Sequence, residues 1–184
     1  MVFRETRLRG AYIIESDVLE DARGFFARTF SGEEFERRGI APPVSQCNLS
    51  YNRTKGTLRG MHYQAEPHAE AKIVACISGA IYDVIVDIRP GSETYLEWLP
   101  VELSAVGTGS PPSTTFRSLF VPEGFAHGFQ TLEDHSQVFY QMSVPYQPEY
   151  ARGLRWNDPA LGIRWPEDAR IISDRDRSFP DFSA

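Results

Sequence analysis

An all-β barrel with a few short helices is the fold this sequence predicts, on three observations. Thirteen prolines and fourteen glycines punctuate the chain. The segments between them are short and rich in Ile, Val, Phe and Tyr. The clearest of these segments alternate with period two, the repeat of a strand with one face buried. The 184 residues are enough to close a core around a pocket. No long linker, fixed-period repeat or low-complexity block divides them, so a single domain over residues 1–184 is expected.

The one helix with a clear signature is short. Ser31-Gly32-Glu33-Glu34 has the form of a capping box, Phe35 supplies an apolar contact, and Gly39 is placed to end the helix. The clearest hairpin runs from Lys72 to Ile77, turns at Ser78-Gly79 and returns from Ile81 to Ile88. On its second strand Tyr82, Val84, Val86 and Ile88 share one face, and Asp83 and Asp87 take the other. Val106 to Ser113 has turn composition and no periodicity, which predicts a flexible loop between strands. Leu119-Phe120-Val121 reads as a strand closed by Pro122-Glu123-Gly124. In the next strand Val138, Tyr140, Met142 and Val144 point the same way, which turns Tyr140 towards an apolar interior. The tail from about residue 146 is polar, contains Trp and Pro, and is expected to wrap the barrel.

Composition narrows the function. A formal charge of -6 argues against a nucleic-acid partner, although a locally basic pocket for a small anion is compatible with it. No apolar run approaches the ~20 residues of a membrane span. The N-terminal Met-Val-Phe-Arg-Glu-Thr-Arg lacks the apolar centre of an export signal, so a cytoplasmic location is expected. Cys47 and Cys76 have no CxxC spacing. Cys76 lies in the apolar run Ile73-Val74-Ala75-Cys76-Ile77 and reads as a buried thiol, not a disulfide or zinc ligand.

The phosphate-cradling GxxxxGK[ST], the dinucleotide GxGxxG and the nucleophile elbow GxSxG are all absent. A polar set on predicted β structure remains: Gln46-Cys47-Asn48, Arg59-Gly60-Met61-His62-Tyr63-Gln64, Lys72, Gly124-Phe125-Ala126-His127-Gly128-Phe129 and Tyr140. Lys72 is one of only two lysines against seventeen arginines. It opens an apolar strand, either buried or as a strand-edge lysine that snorkels to water. His62 reads either as a structural histidine or as a base, and the neighbouring Arg59, Gly60 and Gln64 favour the second.

The segment from Gly60 through His62 and Gln64 to Glu70 and Gly79, together with Pro122-Glu123-Gly124-Phe125-Ala126-His127, resembles the paired motifs of the cupin superfamily. That resemblance implies a double-stranded β-helix, or jelly-roll, barrel. Metal-binding cupins carry His-x-His in the first motif. Gln64 stands at the second position here and is a poor ligand for a transition metal, so no metal is expected. His127 then reads as structural, bonded to neighbouring backbone.

Longer blocks carry a narrower resemblance. Asp21-Ala22-Arg23-Gly24-Phe25-Phe26, Gln46-x-Asn48-x-Ser50, Lys55 through Gln64, Asp83 through Ser92, Pro122 to Phe129, Trp156-Asn157-Asp158-Pro159 and Ser173-Asp174-Arg175-Asp176 follow in order nearly end to end. They are similar to the dTDP-4-dehydrorhamnose 3,5-epimerase family. The resemblance implies a cofactor-free homodimer that binds a nucleotide-diphosphate 4-keto-6-deoxy sugar and inverts centres beside the ketone. It implies His62 as base, Tyr140 as acid, Lys72 as stabiliser of the enolate and Asp176 as partner of His62, with Asp174 the competitor for that place. Arg59 and Arg23 correspond to positions that meet the diphosphate. Gln46 and Asn48 match polar contacts to the nucleotide sugar, and Phe26 an aromatic near the base. N-terminal strands exchanged between protomers would bring a neighbour's Arg23 and Phe26 to each site.

Two departures bear on the substrate. Arg28 stands where the family commonly has a glutamate, and the loop from Val106 to Thr115 is longer than the family turn. A GDP- or CDP-linked 4-keto sugar therefore stays open beside the dTDP-linked one, and so does inversion at C3 alone. Three rival readings are a sugar-nucleotide 3,4-ketoisomerase, a non-catalytic sugar-nucleotide-binding cupin and a metal-dependent cupin oxygenase. The set His62, Lys72, Tyr140 and Asp176 disfavours the first two, and Gln64 the third.

Overall fold

The computed structural model describes residues 1–40, 44–108 and 113–182. Thirteen strands account for most of its regular structure. They are β1 (Val2–Glu5), β2 (Tyr12–Ser16), β3 (Val18–Asp21), β4 (Gly24–Ala27), β5 (Gln46–Asn52), β6 (Leu58–Gln64) and β7 (Lys72–Ser78), then β8 (Ala80–Asp87), β9 (Trp98–Ser104), β10 (Phe116–Val121), β11 (Phe125–Thr131), β12 (Ser136–Met142) and β13 (Ala151–Gly153). Two short helices, α1 (Gly32–Glu36) and α2 (Asp174–Arg177), complete it.

Eleven of the strands form two antiparallel sheets, β1-β2-β10-β7-β12-β5 and β13-β6-β11-β8-β9, and β3 and β4 pair only with each other. Because strands close in sequence alternate between them, this is a jelly roll. The two inner faces enclose one apolar layer. Val74, Cys76, Leu119 and Val138 come from the first sheet, and Ile81, Ile85, Leu103 and Phe129 from the second.

One expectation is overturned. The segments on either side of Ser78-Gly79 are strands, but they do not form a hairpin: β7 pairs with β10 and β12, whereas β8 pairs with β9 and β11. Both strands are buried nearly throughout, so each needs covering on both faces. Two strands of a lone ribbon could not provide that cover. Gly79, at φ 71°, makes the corner where the chain crosses between sheets; a Cβ there would lie 2.5 Å from Ser136 Oγ.

The faces of β8 divide as the alternation predicts. Ile81 and Ile85 enter the barrel core, and Asp83 and Asp87 share their side, wholly buried. Tyr82, Val84 and Val86 turn outward under the C-terminal tail, whose Leu154, Leu161, Ile163 and Trp165 cover them.

Helix α1 starts one residue after Ser31, as the sequence suggests, but without the side-chain bond of a capping box. The Ser31 carbonyl accepts from the amides of Glu34 and Phe35 instead. What holds the helix is Phe35, 1% exposed, inserted among Phe3, Phe30 and Phe120. Burying a side chain of that size is worth about 2–3 kcal/mol. Between β9 and β10 the ends of the predicted loop are tied by the Gly107 amide donating to the Ser113 carbonyl at 2.7 Å; residues 109–112 lie outside the described residues.

Candidate active site

A cavity of about 340 Å³ opens between the sheets, lined by Arg59, His62, Lys72, His127 and Tyr140 among others. A smaller recess of about 120 Å³ shares His62, Lys72 and Tyr140 with it and adds Glu70 and Tyr146. The candidate residues thus reach one place from opposite walls. His62 and Arg59 lie on β6 in one sheet, Lys72 and Tyr140 on β7 and β12 in the other.

A local irregularity makes the β6 wall. Arg59 and His62 are three residues apart, a spacing that puts side chains on opposite faces of a regular strand. The register against β11 shifts between them, with His62 opposite His127 and Arg59 opposite Phe129. The bulge brings both side chains to the cavity. It depends on glycine: a Cβ on Gly60 would lie 2.5 Å from Gly128 Cα, and Gly60 holds φ 140°.

His62 Nε2 donates to Asp176 Oδ1 at 2.7 Å, and the Gly60 amide donates to the other carboxylate oxygen at 3.2 Å. Asp176 is buried in α2, whose N-cap Ser173 Oγ accepts from the Asp176 amide at 3.1 Å. Asp174, the competitor, is exposed. Burial pushes the Asp176 carboxyl up, but the His62 hydrogen bond and charge, the Gly60 amide and Ser173 together hold it below the ordinary carboxylate value. With Nε2–H given to Asp176, Nδ1 of the neutral ring keeps a free lone pair.

Across the cavity, Tyr140 pairs with Val74 on β7, two positions along the same ladder from the Lys72–Met142 pair. Burial first, then the charge of Glu70, push its phenol above the ordinary range, and Arg59 pulls the other way. Tyr140 therefore holds its proton at neutral pH. Lys72 is buried, not snorkelling: its Nζ lies 2.6 Å from Glu70 Oε1, and the two side chains are 9% and 6% exposed. A base on one wall, a phenol on the other and an ammonium beside the phenol are the groups needed to move a proton next to a carbonyl.

The remaining candidates are distributed unevenly. Arg59 reaches Asn52 through Nε at 2.8 Å. Gln46 and Asn48, on edge strand β5, bond to each other at 3.0 Å beside β12, with Asn48 opposite Tyr140. Arg23 and Phe26 do not reach this cavity. They lie on the β3–β4 hairpin, which pairs with neither sheet, where Arg23 is bound to Asp21 and Phe26 is 63% exposed.

His127 differs from expectation. Its Nε2 bonds to both oxygens of the buried Asp83, at 3.0 and 2.9 Å, and not to backbone, while the ring lines the cavity. Sequence reasoning missed this second His–Asp pair. The signal present was alternation, which sets Asp83 on the face opposite Val84. Glu70 was missed as a partner of Lys72, although a spacing of two puts both on one face of an extended chain. Gln64 is committed elsewhere: its Nε2 donates to the His68 carbonyl and its Oε1 accepts from the Gln147 amide, tying β6 to the tail.

Comparison with known proteins gives this arrangement its context. The family model described as dTDP-4-dehydrorhamnose 3,5-epimerase matches residues 5–184. A protein of that name from Methanothermobacter thermautotrophicus is 43% identical over 180 residues, 96% of this chain and 92% of its own length. The crystal structure of the dTDP-4-dehydrorhamnose 3,5-epimerase of Bacillus anthracis, with TDP and PPi bound, superposes with a TM-score of 0.90 at 39% identity, covering 98% of this chain and 99% of the other. A 3'-monoepimerase from Streptomyces bikiniensis, in complex with dTDP-quinovose, superposes with a TM-score of 0.86 at 33% identity, over 96% of this chain and 85% of that one. Matched nearly end to end in sequence and in fold, the chain belongs to the dTDP-4-dehydrorhamnose 3,5-epimerase family.

Proposed function

We propose that the protein is a cofactor-independent epimerase that inverts carbons next to the ketone of a dTDP-linked 4-keto-6-deoxyhexose. The observation that carries this reading is the opposition of His62 and Tyr140 across one cavity, from different sheets. Inversion requires the proton to leave from one face of the sugar and return to the other, and two walls supply two faces. His62 Nδ1 takes the α-proton while Asp176 holds the imidazole in its tautomer. The Lys72 ammonium stabilises the enolate oxygen, and Tyr140 returns a proton from the far side. Arg59, Gln46 and Asn48 meet the nucleotide diphosphate and sugar, the planar guanidinium suiting phosphate oxygens.

Solvent deuterium incorporation into dTDP-4-keto-6-deoxyglucose, read by mass and by NMR position with His62→Ala as control, tests the reading. Exchange at both C3 and C5 that depends on His62 supports a 3,5-epimerase. Exchange at C3 alone assigns single inversion, the activity named for the Streptomyces bikiniensis 3'-monoepimerase. No exchange, followed by turnover of a GDP- or CDP-linked 4-keto sugar, would move the assignment to that nucleotide.

The reading includes a homodimer. Arg23, with 90% of its side chain exposed, and the exposed Phe25 and Phe26 stand on a hairpin that lines neither recess around His62, and they are suited to complete a partner's site. Mixing His62→Ala with Arg23→Ala protein should then restore part of the activity that each lacks. No restoration in verified mixed dimers would count against exchange. We further take residues 1–184 as one folding unit, supported by the packing of the tail on β6, β8 and β11, with one cooperative thermal transition expected. A cytoplasmic location is supported by two free thiols and is tested by fractionation.

A further inference from the structure

Glu70 sits just before β7 with its side chain 6% exposed. Its Oε1 faces Lys72 Nζ at 2.6 Å, and its Oε2 is buried with no hydrogen-bond partner among the described residues. A buried carboxylate satisfied on one side only is costly. The backbone next to it is tied down. The Ala71 amide donates to Ser143 Oγ at 2.8 Å and the Ser143 amide to the Ala71 carbonyl at 3.0 Å, pinning this segment to the end of β12. Glu70, Lys72 and Tyr140 line the same 120 Å³ recess. We propose that Glu70 is a positioning residue for the acid wall of the site: its carboxylate anchors the Lys72 ammonium and keeps the proton on the Tyr140 phenol. The inference rests on the epimerase reading above.

Both effects run in one direction. A carboxylate beside an ammonium favours the charged ammonium, and beside a phenol it disfavours the phenolate. Burial is the larger cause of the raised Tyr140 phenol, Glu70 the next. The other titratable groups facing the recess are His62 and Tyr63 from β6, Tyr146 from the tail, Arg152 from β13 and Arg175 from α2. Losing the Glu70 charge should therefore move the basic limb of activity to lower pH.

The test compares Glu70→Gln, which keeps the shape and removes the charge, with Glu70→Asp, which keeps the charge. Two readouts are taken: the pH profile of kcat/KM, and the tyrosinate absorbance titration of Tyr140, isolated by difference against Tyr140→Phe. Glu70→Gln should shift both down by about one pH unit, and Glu70→Asp should leave both near wild type. An unmoved limb and titration in Glu70→Gln, whatever its rate, would overturn the proposal. So would an equal shift in both variants, which would assign the effect to packing. The absorbance titration uses no substrate, so an inactive wild type would count against the epimerase reading while the Glu70–Tyr140 coupling could still be read.

Discussion

His62 Nε2 lies 2.7 Å from Oδ1 of Asp176, a residue 114 positions further along the chain. The contact ties α2 of the C-terminal tail to β6 and fixes the imidazole of the proposed base. The Asp176 carboxyl is held below its ordinary value of 3.8, so what the contact contributes is complete above that pH. It is lost as pH falls through the lower, folded value.

Asp176→Asn keeps the size of the side chain and removes its charge. The amide can present its NH2 to Nε2, which favours the wrong tautomer and occupies Nδ1 with a proton. We expect deuterium exchange to fall by about 10²-fold or more, with substrate affinity little changed. Single-turnover exchange measured beside nucleotide binding checks this, and an equal loss in both would point to a merely structural aspartate.

Tyr140→Phe separates the two halves of the reaction. The base is untouched, so His62 should still remove the α-proton and return a solvent deuteron to the same face. Exchange with retention should survive while inversion drops by about 10²- to 10³-fold. Chiral analysis of the exchanged product by NMR measures both, and parallel loss of exchange and inversion would remove Tyr140 from the acid role.

Asp87 offers a stability test away from the cavity. Its wholly buried carboxylate accepts from Arg89 Nη2 at 2.7 Å, Ser92 Oγ at 2.6 Å and Thr94 Oγ1 at 2.7 Å. Burial pushes its pKa up, but these bonds outweigh it and bring the value down from 3.8 to about 2. A depressed carboxyl contributes stability present above 3.8 and lost as pH falls towards 2. Asp87→Asn should cost about 2 kcal/mol at neutral pH, roughly 5 °C in Tm, and the gap should close on acidification. Denaturation curves at pH 7 and near pH 2 decide the matter.

Thiol chemistry should distinguish the two cysteines. Cys76 is buried in the core and burial drives its thiol up to about 12, whereas Cys47 is exposed on β5. Iodoacetamide at pH 8 should alkylate Cys47 in the native protein and both residues after unfolding. Mass spectrometry of tryptic peptides reports each site separately, and native labelling of Cys76 would show that the barrel opens.

The strands around Lys72, Ile81, Leu119 and Val138, and the inward turn of Tyr140, were legible because alternation with period two is a local property. It survives whatever the strand later pairs with. The polar residues of the site were legible for a related reason, since Lys72 and Tyr140 sit at inward positions of otherwise apolar strands. Partnership was not local. Whether β7 pairs with β8 or crosses to the other sheet depends on what covers the second face of each, and the tail that covers β8 begins some sixty residues later. Arg59 and His62 share a wall only because a bulge against Gly128 breaks the alternation between them. Asp176 took precedence over Asp174 because one helical turn buries the first and exposes the second. Local pattern therefore determined strands, faces and the types of residue available for chemistry. The tertiary structure alone decided which of them meet, because contacts between distant segments are set by the cover that each buried face must find.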